Sequence, residues 1–177
     1  MYMRLPKERV AVAIGPDGSV KREIEARTGT KLFIDSETGE AKIEHEDNPL
    51  GALKASEVLK AIARGFSPER AFRLFQDDQF TFIVDIRDYS GDSERAMMRL
   101  RGRVIGEEGK AREAIERETG TCISVYGKTV TVIGTAEQLS VTREALDMLL
   151  KGSEHTTVYR FLERKKKTMK KGLPRVR

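Results

Sequence analysis

A five-residue pattern occurs twice in this chain, as Ile14-Gly15-Pro16-Asp17-Gly18 and, 91 positions later, as Ile105-Gly106-Glu107-Glu108-Gly109. Each copy leads into a helix-like stretch closed by Thr-Gly-Thr, at residues 28–30 and 119–121. Without a gap, residues 14–30 and 105–121 agree at eight of seventeen positions, where background frequencies of about 6–7% give roughly one. This implies a duplicated unit, so the 177 residues divide into two small domains of about 80 residues each.

Hydrophobic spacing predicts the same elements in both copies. In the first, Tyr2 to Leu5 is a short apolar stretch, Lys7 to Ile14 a helix stopped by Gly15, and Ser19 to Thr28 a helix stopped by Gly29. Strands over 31–35 and 40–44 flank the turn residues Ser36 to Gly39, and a helix from Pro49 to Arg64 is expected to face Leu53, Leu59 and Ile62 inward. Ser67-Pro68-Glu69 is a capped helix start, giving a connecting helix to Phe75 before the strand-like run Phe80 to Ile86. The second copy reads as helix 93–105, the glycine loop, helix 110–119, strands 121–126 and 129–133, and helix 136–150. Glu144, Leu146, Leu149 and Gly152 echo Glu57, Leu59, Ile62 and Gly65 at an offset of 87, the difference lying in a shorter hairpin. A last helix over 157–171 is apolar first and basic after. The expected class is α+β, each unit being a three-stranded antiparallel sheet with three helices on one face. The expected boundaries are 1–66, a linker with a short helix at 67–79, 80–152, and a C-terminal basic helix and tail at 153–177.

No run approaches the ~20 apolar residues of a membrane span, and the first residues carry no signal-peptide core, so a soluble, cytoplasmic protein is expected. The single cysteine, Cys122, excludes an internal disulfide and suits a buried strand position. The net charge of +5 is not uniform: residues 164–177 hold eight Lys or Arg and no acid, leaving 25 basic against 28 acidic residues elsewhere. That tail is a positive arm of the kind that contacts nucleic acid, or else a solvated terminus. His45 and His155 stand far apart without ligand-spaced acids, which speaks against a metal; Asp77-Asp78 and Asp85-x-x-Asp88 could suggest a carboxylate site for magnesium, but acids near turns read as solvated or capping groups rather than a catalytic set. Tyr126 and Tyr159 sit in apolar patterns that read as packing rather than base stacking.

Glycine at both ends of a four-residue turn permits backbone angles that other residues resist and removes side chains that would hold a ligand away. The N–H groups opening the next helix can then receive anionic oxygens, and Ile14, or Val104 and Ile105, can floor a narrow groove for unpaired bases. Neither loop has Gly-x-Gly or Gly-Lys-Ser/Thr, which excludes dinucleotide-binding and nucleotide P-loop readings.

The duplicated Ile-Gly-x-x-Gly, the downstream Thr-Gly-Thr and the element order resemble the K-homology (KH) family of single-stranded nucleic-acid binders, implying two tandem type I KH domains. Further stretches, 86–89, 101–106, 124–130 and 157–163, look like the archaeal two-KH ribosome-assembly factor family, counterpart of the eukaryotic pre-ribosomal "partner of Nob". That resemblance implies no enzymatic activity, no cofactor, and binding near the 3′ end of 16S ribosomal RNA. A Nob-type endonuclease and the α subunit of initiation factor two are its implied protein partners. The chain departs from the KH pattern inside the loops, where Pro16-Asp17 and Glu107-Glu108 replace the usual basic residue. Carboxylates repel phosphate and Pro16 has no N–H, although Asp17 also suits a helix cap. The second loop is better compensated, by Arg99, Arg101 and Arg103 before it and Lys110 and Arg112 after it; the first has Lys21 and Arg22. The second groove is therefore expected to be the main RNA site. A protein-interaction scaffold with non-specific tail binding, and a KH regulator of messenger RNA, are the rival readings.

Overall fold

Leu32, Ala41 and Ile43 alternate with exposed or half-exposed Lys31, Phe33, Lys42 and Glu44, the period-two pattern of a sheet with one face covered. In the computed structural model, which describes residues 1–172 and side chains as far as Met169, the chain divides into Met1–Gln79 and a second unit beginning at Phe80. Residues 173–177 of the predicted tail lie outside the described residues. Among the described residues, no helix is long and apolar enough to cross a membrane.

The first unit comprises β1 (Tyr2–Arg4), α1 (Lys7–Ile14), α2 (Ser19–Thr28), β2 (Lys31–Ile34), β3 (Glu40–Glu44) and α3 (Pro49–Ala63). Its sheet is antiparallel in the order β1-β3-β2, with Met3 opposite Ala41 and Leu32 opposite Ile43. Val10, Ala13, Ile24, Val58, Leu59 and Ile62 supply the buried helix side chains. Leu53 corrects the expected inward face, being 49% exposed. The buried stripe of α3 runs through Ala52, Ala55, Leu59 and Ile62, and Leu53 lies about 100° round the helix from Ala52, outside it. The predicted linker is also no linker. Its short helix α4 (Pro68–Ala71) and the 3-10 turn Phe72–Phe75 belong to the first unit, with Ala71 and Leu74 buried and the Arg27 guanidinium 4.4 Å from the Phe75 ring centre.

The second unit comprises β4 (Phe80–Asp85), α5 (Arg87–Ser90), α6 (Glu94–Ile105), α7 (Lys110–Thr119), β5 (Cys122–Tyr126), β6 (Thr129–Gly134), α8 (Ala136–Lys151) and α9 (His155–Gly172). The sheet order is β4-β6-β5, the same topology as in the first unit. Cys122 is buried on β5. The sequence pattern does not announce α5: the strand ends at Asp85, whose carboxylate accepts the Arg87 backbone N–H at 2.9 Å and turns the chain. α9 moves the expected boundary at residue 152, because Val158, Phe161 and Leu162 enter one core with Phe82, Leu100, Ile115 and Leu146. Its apolar half is part of this unit, and Lys166 from its basic half pairs with Glu118 of α7 at 3.5 Å.

The Tyr89 hydroxyl donates to Asp147 at 2.7 Å, tying α5 to α8. Burial, and then this bond to a carboxylate, push Tyr89 from 10.0 up to about 12. A group raised on folding adds stability below its unfolded value and loses it as pH climbs through the folded one. Melting temperature should therefore fall between about pH 10 and pH 12, and Tyr89→Phe should fall less steeply across that window by circular dichroism. Equal slopes would show that Tyr89 contributes nothing to the alkaline loss.

Candidate nucleic-acid interface

The two glycine loops have one backbone. Gly15 and Gly106 sit at φ 74, ψ 172 and φ 74, ψ 174, Asp17 and Glu108 at φ 52 and φ 54, and Gly18 and Gly109 at φ 73 and φ 76. The first glycine is required twice over: its positive φ with an extended ψ is a combination essentially confined to glycine, and a Cβ on Gly15 or Gly106 would stand 2.4 Å from Val20 Cγ2 or 2.5 Å from Ala111 Cβ. α1 and α6 thus press directly against the helix that follows. Asp17 does not cap α2, since Gly18 occupies the cap position and no side chain accepts there.

Most of the repeated identities build the scaffold around the loops. Thr28 and Thr119 donate to Ile24 O and Ile115 O, and each hydroxyl meets that of Thr30 or Thr121 at 2.8 or 2.7 Å. Glu25 and Glu116 each accept a strand N–H, from Leu32 at 3.0 Å and Ile123 at 2.9 Å. These are edge-strand groups facing away from the sheet, so each carboxylate satisfies one N–H of an otherwise open strand edge.

The structure sorts the predicted basic residues. Arg99 and Lys110 are exposed, Lys110 lying 3.8 Å from Glu108 on the surface, and Arg101 is half-buried with its Nε enclosed and unpartnered. Arg103 is a correction. Its Nε donates to Leu149 O at 3.0 Å and its Nη2 to Ser153 O, closing the C-terminal carbonyls of α8. In the first unit Arg9 does the same to Ile62 O and Phe66 O at 2.8 and 2.6 Å, from a position one helical turn earlier in its own helix. Val104 is also corrected, being fully buried in the core with no surface to floor a groove, whereas Ile14 and Ile105 are half-buried beside their loops. The histidines serve local structure: His45 Nδ1 accepts from Asn48 N, and His155 Nε2 donates to Arg103 O at 2.8 Å. Arg103→Met should cost about 2 kcal/mol in denaturant unfolding while leaving RNA affinity within about twofold. Arg99→Met should do the opposite, and equal stability losses would contradict the assignment.

Arg112 is partly committed as well. It pairs with Glu116 at 3.2 Å, and its Nη1 reaches Ile123 O at 3.4 Å. With the backbone N–H and C=O of Ile123 facing away from β6 in this way, the period of two aims those of Val125 out along the same edge of β5. Sequence reasoning missed this backbone position, for which no side-chain type is a signal.

The loops differ at their open ends. The second turn spends the N–H groups of Gly109 and Lys110 on Gly106 O and Glu107 O, leaving those of Glu107 and Glu108 at its mouth; the first offers only Asp17, because Pro16 has none. Arg22 folds back to donate to Asp17 O, 3.1 Å from where a Gly18 side chain would begin. Around Gly109 no described residue lies within 4 Å of that point.

The model of the eukaryotic-type KH domain (KH-domain type I) in its form for the second domain of PNO1 matches residues 80–167. The KH domain-containing protein MJ0443 of Methanocaldococcus jannaschii is 43% identical over 172 residues, 96% of this chain and 75% of that protein. The pre-rRNA-processing protein pno1 of Aspergillus fumigatus is 32% identical over 68% of this chain, which spans about half (49%) of its length. Dim2p of Pyrococcus horikoshii, in its crystal structure, is 46% identical with a TM-score of 0.86, covering 93% of this chain and 98% of its own. A crystal structure of an a/eIF2alpha–aDim2p–rRNA complex from that organism matches at 48% identity and a TM-score of 0.86, over 95% of this chain and 94% of the other. Carrying a PNO1-type KH domain and matching such relatives along nearly its whole length, the chain belongs to the Dim2p/PNO1 family of KH-domain proteins.

Proposed function

We propose that this protein is a non-enzymatic, single-stranded RNA-binding factor of small ribosomal subunit assembly, made of two tandem KH domains and gripping RNA near the 3′ end of 16S ribosomal RNA in its second groove. The observation that carries the reading is the open mouth at Gly109, beside the N–H groups of Glu107 and Glu108. Phosphates lie against that mouth, assisted by Arg99, Arg101, Lys110 and the part of Arg112 not held by Glu116. Bases lie over Ile105 and meet the backbone of Val125 with their edges. Phosphate contacts hold the strand and base-edge contacts select it. The first unit adds a weaker contact through Gly15, Gly18, Ile14, Lys21 and Arg22, its mouth narrowed by Arg22 and short of one donor at Pro16. The presence of rRNA and a/eIF2alpha with Dim2p of Pyrococcus horikoshii supports the same two partners for this chain; a Nob-type endonuclease is proposed as a third.

The test is binding of an oligonucleotide carrying the 3′ end of 16S ribosomal RNA against a scrambled one, across a salt series. With about four phosphates neutralised, the logarithmic salt slope should be near −3. Truncation after Met169 should weaken both oligonucleotides alike, and loss of all binding on that truncation would favour the scaffold reading.

A further inference from the structure

The sheet of the second unit has two edges, and the RNA reading uses only β5. At the other edge, Ile86 N donates to Lys128 O, which fixes the hydrogen-bonded register of β4 on β6 through Val84, Phe82 and Phe80. The N–H and C=O groups of Thr81, Ile83 and Asp85 therefore point away from β6, and among the described residues β4 has no second neighbour in its sheet. Long open edges are commonly blunted by lysine, proline or a bulge. Here the six residues Phe80–Asp85 pair without a bulge and contain neither Lys nor Pro, with Phe80 and Ile83 about half exposed, at 51% and 50%.

Beside this edge runs a groove of about 600 Å³ between β4, α5 and one flank of α8. The flank is the stripe Ser140, Glu144, Asp147 and Lys151, twelve residues of helix, whose eleven steps of 1.5 Å span roughly 16 Å. A strand of five or six residues, about 17–20 Å long, matches that length. Within the groove Lys151 is held by Asp147 at 2.9 Å, and the Arg143 guanidinium lies 4.4 Å from the centre of the Phe82 ring. Asp88, Arg143 and Glu144 are all exposed, and with Asp147 the groove holds three carboxylates against two cations beside its strand hydrogen-bonding groups.

We propose that the free edge of β4 and the adjoining flank of α8 form a docking groove for an extended, basic segment of a protein partner, which adds to the second sheet as a fourth strand. Main-chain bonds to Thr81, Ile83 and Asp85 give the hold, an apolar residue covers Ile83, and Lys or Arg side chains meet Asp88 and Glu144. The occupant is a strand because the edge offers alternating donors and acceptors, and basic because the groove's carboxylates, Asp88, Glu144 and Asp147, outnumber its cations, Arg143 and Lys151.

The probe is a synthetic peptide, acetyl-Lys-Thr-Val-Lys-Val-Thr-Lys-amide, titrated into the ¹⁵N-labelled full chain. The amides of Thr81, Ile83 and Asp85 should shift and gain at least about tenfold protection from hydrogen exchange, leaving those of Gly106 to Gly109 unmoved. Replacing the peptide's lysines by glutamates, or methylating its alternate backbone nitrogens, should weaken binding about tenfold or more. Ile83→Pro removes a donor that faces only the open edge and should abolish the peptide shifts, with RNA affinity unchanged as the check that the chain is folded. The proposal is overturned if the wild-type amides do not respond, if the glutamate peptide binds as well, or if oligouridine alone moves the same three amides. It is also overturned if these amides shift with protein concentration in the absence of peptide, which would make the occupant a second copy.

Discussion

Gly109→Asp is expected to leave the second unit folded while lowering its affinity for the 3′-end oligonucleotide by at least about a hundredfold. Gly109 is left-handed at φ 76 with no described residue within 4 Å of where a Cβ would stand, so the substitution meets no clash among them. Its backbone cost is that of one residue in the left-handed region, about 1 kcal/mol, and aspartate is among the residues that tolerate it. Glu108, next to it at φ 54, already accepts that conformation. The new carboxylate stands where phosphate oxygens approach. Two like charges 4 Å apart repel by about 1 kcal/mol in bulk water and about 4 kcal/mol at the effective dielectric of a protein surface. Circular dichroism melting and fluorescence anisotropy on the same preparation separate the two effects. Unchanged affinity for the selective oligonucleotide would remove the groove from the account.

Gly106→Ala should do the reverse and strike the fold first. At φ 74, ψ 174 this residue occupies a region that is essentially glycine's alone, and its Cβ would lie 2.5 Å from Ala111 Cβ and 2.7 Å from Ala111 N. Neither neighbour is the far end of a flexible side chain, so α6 and α7 must part. Backbone strain and overpacking each cost about 1–3 kcal/mol, and a combined loss of about 3 kcal/mol lowers the melting temperature of so small a unit by more than about 10 °C. RNA binding falls with it. A variant that melts like the wild type would show that the close approach of the two helices is not needed.

The contrast between these glycines marks what is legible in the sequence. The repeat locates both loops and nearly every element, because periodicity and glycine stops are local properties. It also gathers two kinds of residue under one pattern: Glu116, Thr119 and Thr121 mark the copy but build the scaffold. Arg103 resembles a phosphate contact because it stands near the loop, yet its acceptors, Leu149 O and Ser153 O, lie 46 and 50 positions away, and only folding brings them together. The entry of α9 into the core is hidden by the same kind of distance, and the reach of Arg112 to the β5 edge, 11 positions on, by a contact that only folding makes. Leu53 is misplaced by a smaller error, one residue on a helix whose buried stripe is set largely by alanines that carry little hydrophobic signal. Val125 is illegible because its contribution is backbone.

Ultraviolet crosslinking of the full chain to its RNA in cells, with mass spectrometry to place the crosslinked residues, decides whether the second groove holds the 3′ end of small-subunit ribosomal RNA. Crosslinks at residues 99–112 and on β5, to nucleotides at the 3′ end of small-subunit ribosomal RNA, are the predicted result. Crosslinks confined to the basic residues from Arg164 onward, or spread over RNAs without preference for that end, would contradict it.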